Sequence, residues 1–421
     1  MKVGILTLGC KVNTYESLFV SEQLKKAGYT ICDFEDICDV YIINTCTVTN
    51  NSDSKSKKMI RSAIRRNEDA CIVAMGCFIE ANKDYKEHGL DVVIGNKDKS
   101  DIVAILDQYF ETKKNIKRVY DKEQNEFEDM RIHEFPGRVR AFVKIQDGCE
   151  NYCSYCIIPF VRGKCRSKEL SEVLDEITDL VGNGYQEIVL TGIHTGNYGV
   201  DLDINFASLL KEVVNIPGLK RLRISSIEIT ELNEEVLNII KENNIIVDHL
   251  HIPLQSGSDE VLKLMNRKYD LTYFGKKLHE IRLICPDISI TTDVIVGHPG
   301  ETDELFETTM ETCKRFQFTK MHVFPYSVRE GTVSATMEQV DGKVKKERAK
   351  KLGELSKELE IDYYNQFVDR EVEVLIESNK DGKSFGHTSN YLPVSIGKEI
   401  TPNTFYKTKI VHVDYPNCVG E

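Results

Sequence analysis

The sequence predicts an α/β protein in three parts. They are a helix-covered parallel sheet over residues 1–115, a central partial (β/α)6 barrel over residues 138–340 and a small antiparallel β-barrel over residues 367–421. Three observations predict this. Short apolar runs alternate with helical patterns in two separate series, the pattern of parallel sheets covered on both faces. A charged stretch poor in apolar groups, residues 111–136, lies between the series and reads as a linker. The last segment switches to the period-two alternation of antiparallel strands.

In the first series, strands are expected at residues 2–8, 40–43, 71–75 and 92–94, with helices around residues 14–27 and 55–66. Cys10, Cys46 and Cys77 each fall just past a strand end. The carboxyl ends of parallel strands share one edge, where ligands bind, so these three can meet in space. Glycine precedes Cys10 and Cys77, which lets backbone approach a bulky group closely. On placement alone, a ligand set and three buried structural cysteines both fit. Cys32, Cys38 and Cys71 lack this placement and read as core or surface residues. The helix after Cys46 carries Lys55, Lys57, Lys58, Arg61, Arg65 and Arg66 with no acid among them. Met59, Ile60, Ala63 and Ile64 are expected to face the sheet. The basic stripe then faces outward, as a solvated surface or a phosphate-binding one.

In the second series, strands are expected near Phe142 and at residues 188–190, 222–224, 250–252, 288–296 and 321–324. Helices fall between them near residues 171–180, 206–214, 232–241, 273–284 and 305–316. Six such units fit a partial barrel, whose chemistry sits at the strand C-termini. Polar turns follow the strands on that rim: Thr191-Gly192, Ser225-Ser226-Ile227-Glu228, Pro253-Leu254-Gln255-Ser256-Gly257 and Gly297-His298-Pro299-Gly300-Glu301. After the first strand stands Gln146-Asp147-Gly148-Cys149, continuing to Cys153, Tyr155 and Cys156. This C-x-x-x-C-x-x-C spacing lets three thiolates converge on one metal centre and leaves a coordination position open. Cys165 is the nearest fourth candidate, but Pro159 and Arg162-Gly163-Lys164 point to a loop leading away. A zinc site is the alternative, without the paired C-x-x-C units or histidines usual there.

The spacing with Tyr155 directly before the last cysteine resembles the radical S-adenosylmethionine signature. The flanking Gln146-Asp147-Gly148-Cys149 and Cys156-Ile157-Ile158-Pro159-Phe160-Val161-Arg162-Gly163 resemble the methylthiotransferases within that superfamily, and the likeness runs along nearly the whole chain. The resemblance implies a [4Fe-4S] cluster on Cys149, Cys153 and Cys156, whose open iron chelates S-adenosylmethionine. One electron then cleaves that cofactor to a 5′-deoxyadenosyl radical. It also implies a second [4Fe-4S] cluster on Cys10, Cys46 and Cys77. Two S-adenosylmethionine molecules would be used per turnover, one as methyl donor and one as radical source. Thr191 and Gly192 match the segment that meets the methionine amino group, and Tyr155 the adenine contact. Ser225, Ser226, Glu228 and Gln255 are further cofactor-pocket candidates. The family usually has an aromatic where this chain has His298, and an imidazole retains some stacking there.

In the last segment, residues 371–376 and 407–413 alternate like strands. Ser384-Phe385-Gly386-His387-Thr388-Ser389-Asn390-Tyr391 resembles the core of a TRAM domain, an RNA-binding barrel. Phe385, His387, Tyr391, Tyr406 and Lys407 are its candidate RNA contacts, although some of these aromatics must fill the core. Asp369-Arg370 stands where a glycine turn is expected.

The resemblance thus implies a tRNA methylthiotransferase. Leu190-Thr191-Gly192-Ile193-His194 with Tyr198-Gly199 resembles the branch acting on threonylcarbamoyl-adenosine at position 37, with His194 a candidate contact or a structural residue. A methylthiotransferase for isopentenyl-adenosine or for a ribosomal protein side chain would share these parts. A non-catalytic RNA-binding metalloprotein is the more distant alternative. The chemistry calls for an external electron donor and a sulfur-delivery partner.

Composition fits this reading. Thirteen irregularly spaced cysteines argue for reduced thiols rather than a disulfide framework. A net charge of −12 excludes a general nucleic-acid coat but not a local basic patch. Leu8-Gly9-Cys10 looks like a lipoprotein cleavage site, but the preceding apolar run is too short for one. With no apolar run long enough for a bilayer, a cytoplasmic protein without a membrane partner is expected.

Overall fold

A computed structural model describes residues 1–120 and 126–421. The chain opens with β1 (Lys2–Thr7), α1 (Lys11–Lys26), β2 (Thr30–Cys32), β3 (Val40–Thr45), α2 (Asn50–Arg66), β4 (Cys71–Gly76), α3 (Cys77–Ala81), β5 (Val92–Ile94), α4 (Ile102–Thr112) and β6 (Ile116–Arg118). The six strands form one sheet in the order β2-β1-β3-β4-β5-β6, every pair parallel. β3 and β4 are buried along their whole length, which is why they read as unbroken apolar runs. The edge strands β2 and β6 have three residues each and left no such run.

Residues 111–136 are not a free linker. Part of the stretch completes α4 and supplies β6, and residues 121–125 lie outside the described residues. Beyond them, Met130, Ile132 and Phe135 are each 1% exposed. The Tyr15 hydroxyl on α1 donates to Met130 O at 2.6 Å, and Lys168 Nζ donates to the same oxygen at 2.8 Å. The segment is a strap that binds the sheet to the central barrel.

The barrel comprises β7 (Arg140–Lys144), β8 (Gln146–Asp147), α5 (Ile158–Arg162), β9 (Arg166–Ser167), α6 (Leu170–Gly182), β10 (Glu187–Thr191), α7 (Phe206–Val213) and β11 (Arg221–Ile224). It continues through α8 (Glu234–Glu242), β12 (His249–His251), α9 (Asp259–Leu264), α10 (Leu271–Ile284), β13 (Ser289–Val296), α11 (Asp303–Phe316) and β14 (Lys320–Pro325). All six expected strands and their helices are present. They form two parallel arcs, β7-β10-β11 and β12-β13-β14, linked by the bridges Leu222–Ile246 and Ser226–His251. Helix starts are fixed by side-chain caps: Asn205, Asn233, Ser258, Asp270 and Thr302 each accept from an N–H of the first turn.

After α12 (Gly342–Asn365), which packs on β14, come β15 (Glu371–Lys380), β16 (Lys383–Thr388), β17 (Pro393–Ile396), β18 (Phe405–Asp414) and β19 (Asn417–Gly420). They close a barrel in the order β15-β16-β17-β19-β18. It is antiparallel except for β17 and β19, which pair in parallel. Asp369 adopts φ +66°, the left-handed turn for which a glycine was expected, and its carboxylate pairs with Lys409 at 2.8 Å. This small barrel seats on the strand N-termini of the large one. Arg221 donates to His387 O at 3.1 Å, and Arg140 pairs with Glu377 at 2.6 Å. Cys149, Cys153 and Cys156 lie at the opposite rim.

Candidate active site: two thiol triads joined by buried ions

Cys149, Cys153 and Cys156 share the loop between β8 and α5. Gly148 turns the chain there at φ +77°, and a Cβ in its place would collide with Lys164 O. Cys149 N–H donates to Gly163 O at 3.0 Å and Cys156 N–H to Cys153 O at 2.9 Å. Burial, reinforced by Cys153 and Cys149, pushes the Cys156 thiol up to about 12. A thiol so placed becomes a thiolate when a cation binds it.

Two residues outside the motif attend these sulfurs. Arg267 Nη1 donates to Cys153 Sγ at 3.3 Å, while its other nitrogen pairs with the Glu228 carboxylate. The His194 ring lies 3.7 Å from Cys149 Sγ and 3.0 Å from Asn197 Nδ2 and meets Glu231 on its far side. Its backbone N–H donates to Gln146 Oε1 at 2.7 Å. Burial disfavours the imidazolium, but Cys149 and Glu231 outweigh it and push His194 up to about 10. His194 is thus engaged within the loop. Cys165 is buried, held by Gln146 Nε2 at 3.1 Å and Asn197 O at 3.5 Å.

The other cofactor candidates gather around this loop. Tyr155 meets His298 edge-on, centroids 6.4 Å apart, so the imidazole does keep an aromatic contact. His298 also binds Ser334 Oγ at 2.8 Å, and burial lowers it to about 4, leaving it neutral. Thr191 ends β10, where its carbonyl accepts from Ile145 N–H at 2.9 Å, and Gly192 backs onto the Gln146 side chain. Ser225 Oγ bonds Thr195 Oγ1 at 3.1 Å and borders a cavity of about 870 Å³ in the barrel bore. Glu228 lines a smaller one of about 260 Å³ beside Cys153. Ser226 and Gln255 link strand ends through the bridges Ser226–His251 and Gln255–Val294.

The second triad stands on three neighbouring strands. Cys10 follows β1, Cys46 follows β3 and Cys77 follows β4. Gly9 has φ +102°, and a Cβ there would come within 2.9 Å of Cys46 Sγ. The Asn13 amide donates to Leu8 O at 2.8 Å and Thr45 O at 3.0 Å, clamping the loops of Cys10 and Cys46 together. Asn96 Nδ2 reaches Cys77 Sγ at 3.6 Å. Burial pushes the Cys10 and Cys46 thiols up; Cys77 adds to both and Cys10 to Cys46, while Arg162 opposes the rise at Cys10. Three sulfurs without a carboxylate form a soft donor set suited to an iron–sulfur cluster or zinc.

Sequence reasoning passed over what joins the triads. Arg162, 1% exposed, ends the helix that leaves Cys156, and its positive charge opposes the burial that raises the Cys10 thiol. Its guanidinium donates to Asn13 Oδ1 at 2.7 Å, Glu16 Oε1 at 3.0 Å and Asp147 at 3.0 Å. Glu16 also meets Lys99 at 2.5 Å and Lys144 at 3.2 Å, and Asp147 meets Lys144 at 2.7 Å. All are buried. Arg162, Lys99, Lys144 and Arg166 gather around Glu16 and Asp147 beside the thiols. Hydrogen bonds identify this network; a sequence shows only the separate charges.

Farther out, Ile60 and Ala63 on α2 pack on the sheet as expected, with Met59 and Ile64 partly buried against it. Arg61 pairs with Glu87 at 2.7 Å and Arg66 with Glu35. Lys55, Lys58 and Arg65 are exposed, with no ion pair among the described residues. Arg329 donates to Asp53 and to Thr47 O, each at 2.8 Å, tying the stretch after Cys46 to the large barrel. In the small barrel, Tyr391 stacks on His387 at 4.6 Å and lies beneath Arg223 at 4.6 Å. Both rings line the cavity between the two barrels, and Tyr391 stays 38% exposed.

Residues 143–313 match the radical SAM superfamily and residues 2–95 the uncharacterized protein family UPF0004. The chain is 43% identical to threonylcarbamoyladenosine tRNA methylthiotransferase MtaB of Bacillus subtilis, over 100% of this chain and 96% of that one. It is 34% identical to tRNA-2-methylthio-N(6)-dimethylallyladenosine synthase of Alkaliphilus oremlandii, over 89% of this chain and 82% of that one. Among solved structures, the radical S-adenosylmethionine methyltransferase TsrM from Kitasatospora setae aligns with a TM-score of 0.58. That alignment has 15% identity and covers 79% of this chain and 75% of that one, a likeness of fold.

Proposed function

From the premise that the chain belongs to the radical SAM tRNA methylthiotransferases, we propose that it methylthiolates carbon 2 of threonylcarbamoyl-adenosine at position 37 of tRNA. The observation that carries the reading is the pair of thiol triads with Arg162 between them. A radical centre and a sulfur centre must both reach one base. Identity of 43% to the threonylcarbamoyl-adenosine relative against 34% to the dimethylallyl one favours the substrate.

Cys149, Cys153 and Cys156 would hold one [4Fe-4S] cluster and Cys10, Cys46 and Cys77 another. S-adenosylmethionine would rest among Tyr155, Thr191, Gly192, Ser225, Ser226, Glu228 and Gln255. When bound, these groups supply the radical, the methyl group and the sulfur. The chain positions them. Arg267 holds Cys153 and Glu228 in fixed relation, and His194 fixes the Cys149 side of the loop. The target base must leave its stack to reach the rim. An electron donor and a sulfur-delivery partner would act from outside, in the cytoplasm. No helix among the described residues is long and apolar enough to cross a membrane.

The test offers the reconstituted enzyme, S-adenosylmethionine and a strong reductant two anticodon stem-loops, one threonylcarbamoylated and one isopentenylated. Methylthiolation of the first is expected, with strong rejection of the second, because donors placed for a polar group would be left unpaired by an apolar one. Modification of the isopentenyl form alone, or of neither, overturns the substrate assignment.

The free cations of α2 offer a grip on the RNA backbone. Replacing Lys55, Lys58 and Arg65 with alanine is expected to weaken tRNA binding and to flatten the log-log salt slope by about one for each phosphate no longer neutralised. Arg61→Ala, whose partner is Glu87, is expected to change the slope little. An unchanged slope in the triple variant makes α2 a solvated face.

A further inference from the structure

The cavity of about 870 Å³ in the barrel bore runs from Ser225 to Tyr391 and is lined by cations, Lys11, Arg140 and Arg223 among them. Two of these are committed. Arg223 donates to Glu187 at 2.7 Å and to Thr388 O and Ser389 O, each at 3.2 Å. Arg140 pairs with Glu377 at 2.6 Å. Lys11 differs. It is open to the cavity, and among the described residues its ammonium has no hydrogen-bond acceptor and no carboxylate. The charges acting on it are Arg223 and Arg140. An unpaired ammonium beside these two arginines offers a site to an arriving anion.

The position of Lys11 selects the anion. It is the first residue of α1 and directly follows Cys10. In adenine, carbon 2 and the carbon bearing the N6 substituent flank the same ring nitrogen, N1. Once carbon 2 is turned toward Cys10, the N6 substituent points to the same wall. The sugar and its phosphates hang from N9, on the other side of the base. Resting on the threonylcarbamoyl reading above, we propose that Lys11 binds the carboxylate of the threonyl group. The surrounding field of Arg140 and Arg223 favours that charge. A neutral isopentenyl chain would cover the ammonium and leave it unpaired, so the same residue serves as a specificity determinant.

The test uses full-length, cluster-loaded enzyme and three stem-loops: threonylcarbamoylated, its threonyl methyl ester and isopentenylated. Binding is read by fluorescence anisotropy and turnover by nucleoside mass spectrometry. The wild type is expected to bind the acid about 10- to 100-fold more tightly than the ester, the range for a hydrogen bond to a charged group. Lys11→Met is expected to erase that preference, mostly through KM, and Lys11→Arg to restore part of it. Equal binding of acid and ester by the wild type, or a preference that survives in Lys11→Met, overturns the proposal while acid methylthiolation keeps the substrate reading. An acid stem-loop that is never methylthiolated overturns the reading, and the proposal with it.

Discussion

Replacing Cys149, Cys153 and Cys156 together with alanine is expected to abolish S-adenosylmethionine cleavage and to remove about half the bound iron. The same change at Cys10, Cys46 and Cys77 is expected to remove the other half, leave cleavage intact and prevent sulfur insertion. The two sets stand on different supports. One is a single loop pinned by Gly163 O and Gly148, the other a row of three strand ends. Loss of one therefore leaves the other's backbone in place. Cys165→Ala is expected to keep full iron, since its sulfur already bonds Gln146 and Asn197. Iron assay, electron paramagnetic resonance and cleavage-product analysis read the three outcomes. Loss of all iron from either triple variant, or of one cluster from Cys165→Ala, contradicts the division.

The second large effect concerns the ions between the triads. Arg162→Met leaves Asp147 and Glu16 buried with less compensation, and Glu16→Gln does the same to Lys99. Removing one partner of a buried pair costs about 3–5 kcal/mol. A drop of that size in chemical denaturation is expected for Arg162→Met, with iron at the Cys10 triad lost before iron at Cys149. The acid side follows from the same contacts. Desolvation opposes the charge on Glu16, but Arg162, Lys99 and Lys144 outweigh it and hold the carboxyl well below its usual range. Asp147 is held down likewise, against its own desolvation, by Arg162, Lys144 and Arg166. Their stabilisation is whole above the unfolded carboxylate value of about 4 and fades as pH falls toward the lowered folded values. In Glu16→Gln the pH dependence below about 4 is expected to flatten. Wild-type stability in either variant would mean that the network adds nothing.

Much of this was legible beforehand, for physical reasons that differ by element. β3 and β4 announced themselves because a parallel strand buried on both faces reads as a near-continuous apolar run. The two triads were visible because thiol spacing and strand ends are local features. β2 and β6 were not, since three residues make no pattern. The strap failed for another reason: Met130, Ile132 and Phe135 are sparse apolar residues among charges, and their burial depends on Tyr15 and Lys168, far away in the chain. Arg162 reads as part of a departing loop because a charge shows nothing of its partners. Nothing local shows that Arg223 and Arg140 lie against the Tyr391 ring.

The strap also orders events during synthesis. Domains fold as units from the N-terminus while the chain emerges, and β1 to β6 can pair before the barrel exists. The Tyr15 hydroxyl, however, lies 2.6 Å from Met130 O and 2.7 Å from Glu176 Oε1, and Lys168 reaches both the same carbonyl and Glu176. Until α6 has left the ribosome, that face of α1 stays wet and Glu16 waits for Arg162. The nascent sheet thus presents Cys10, Cys46 and Cys77 to the solvent while translation continues.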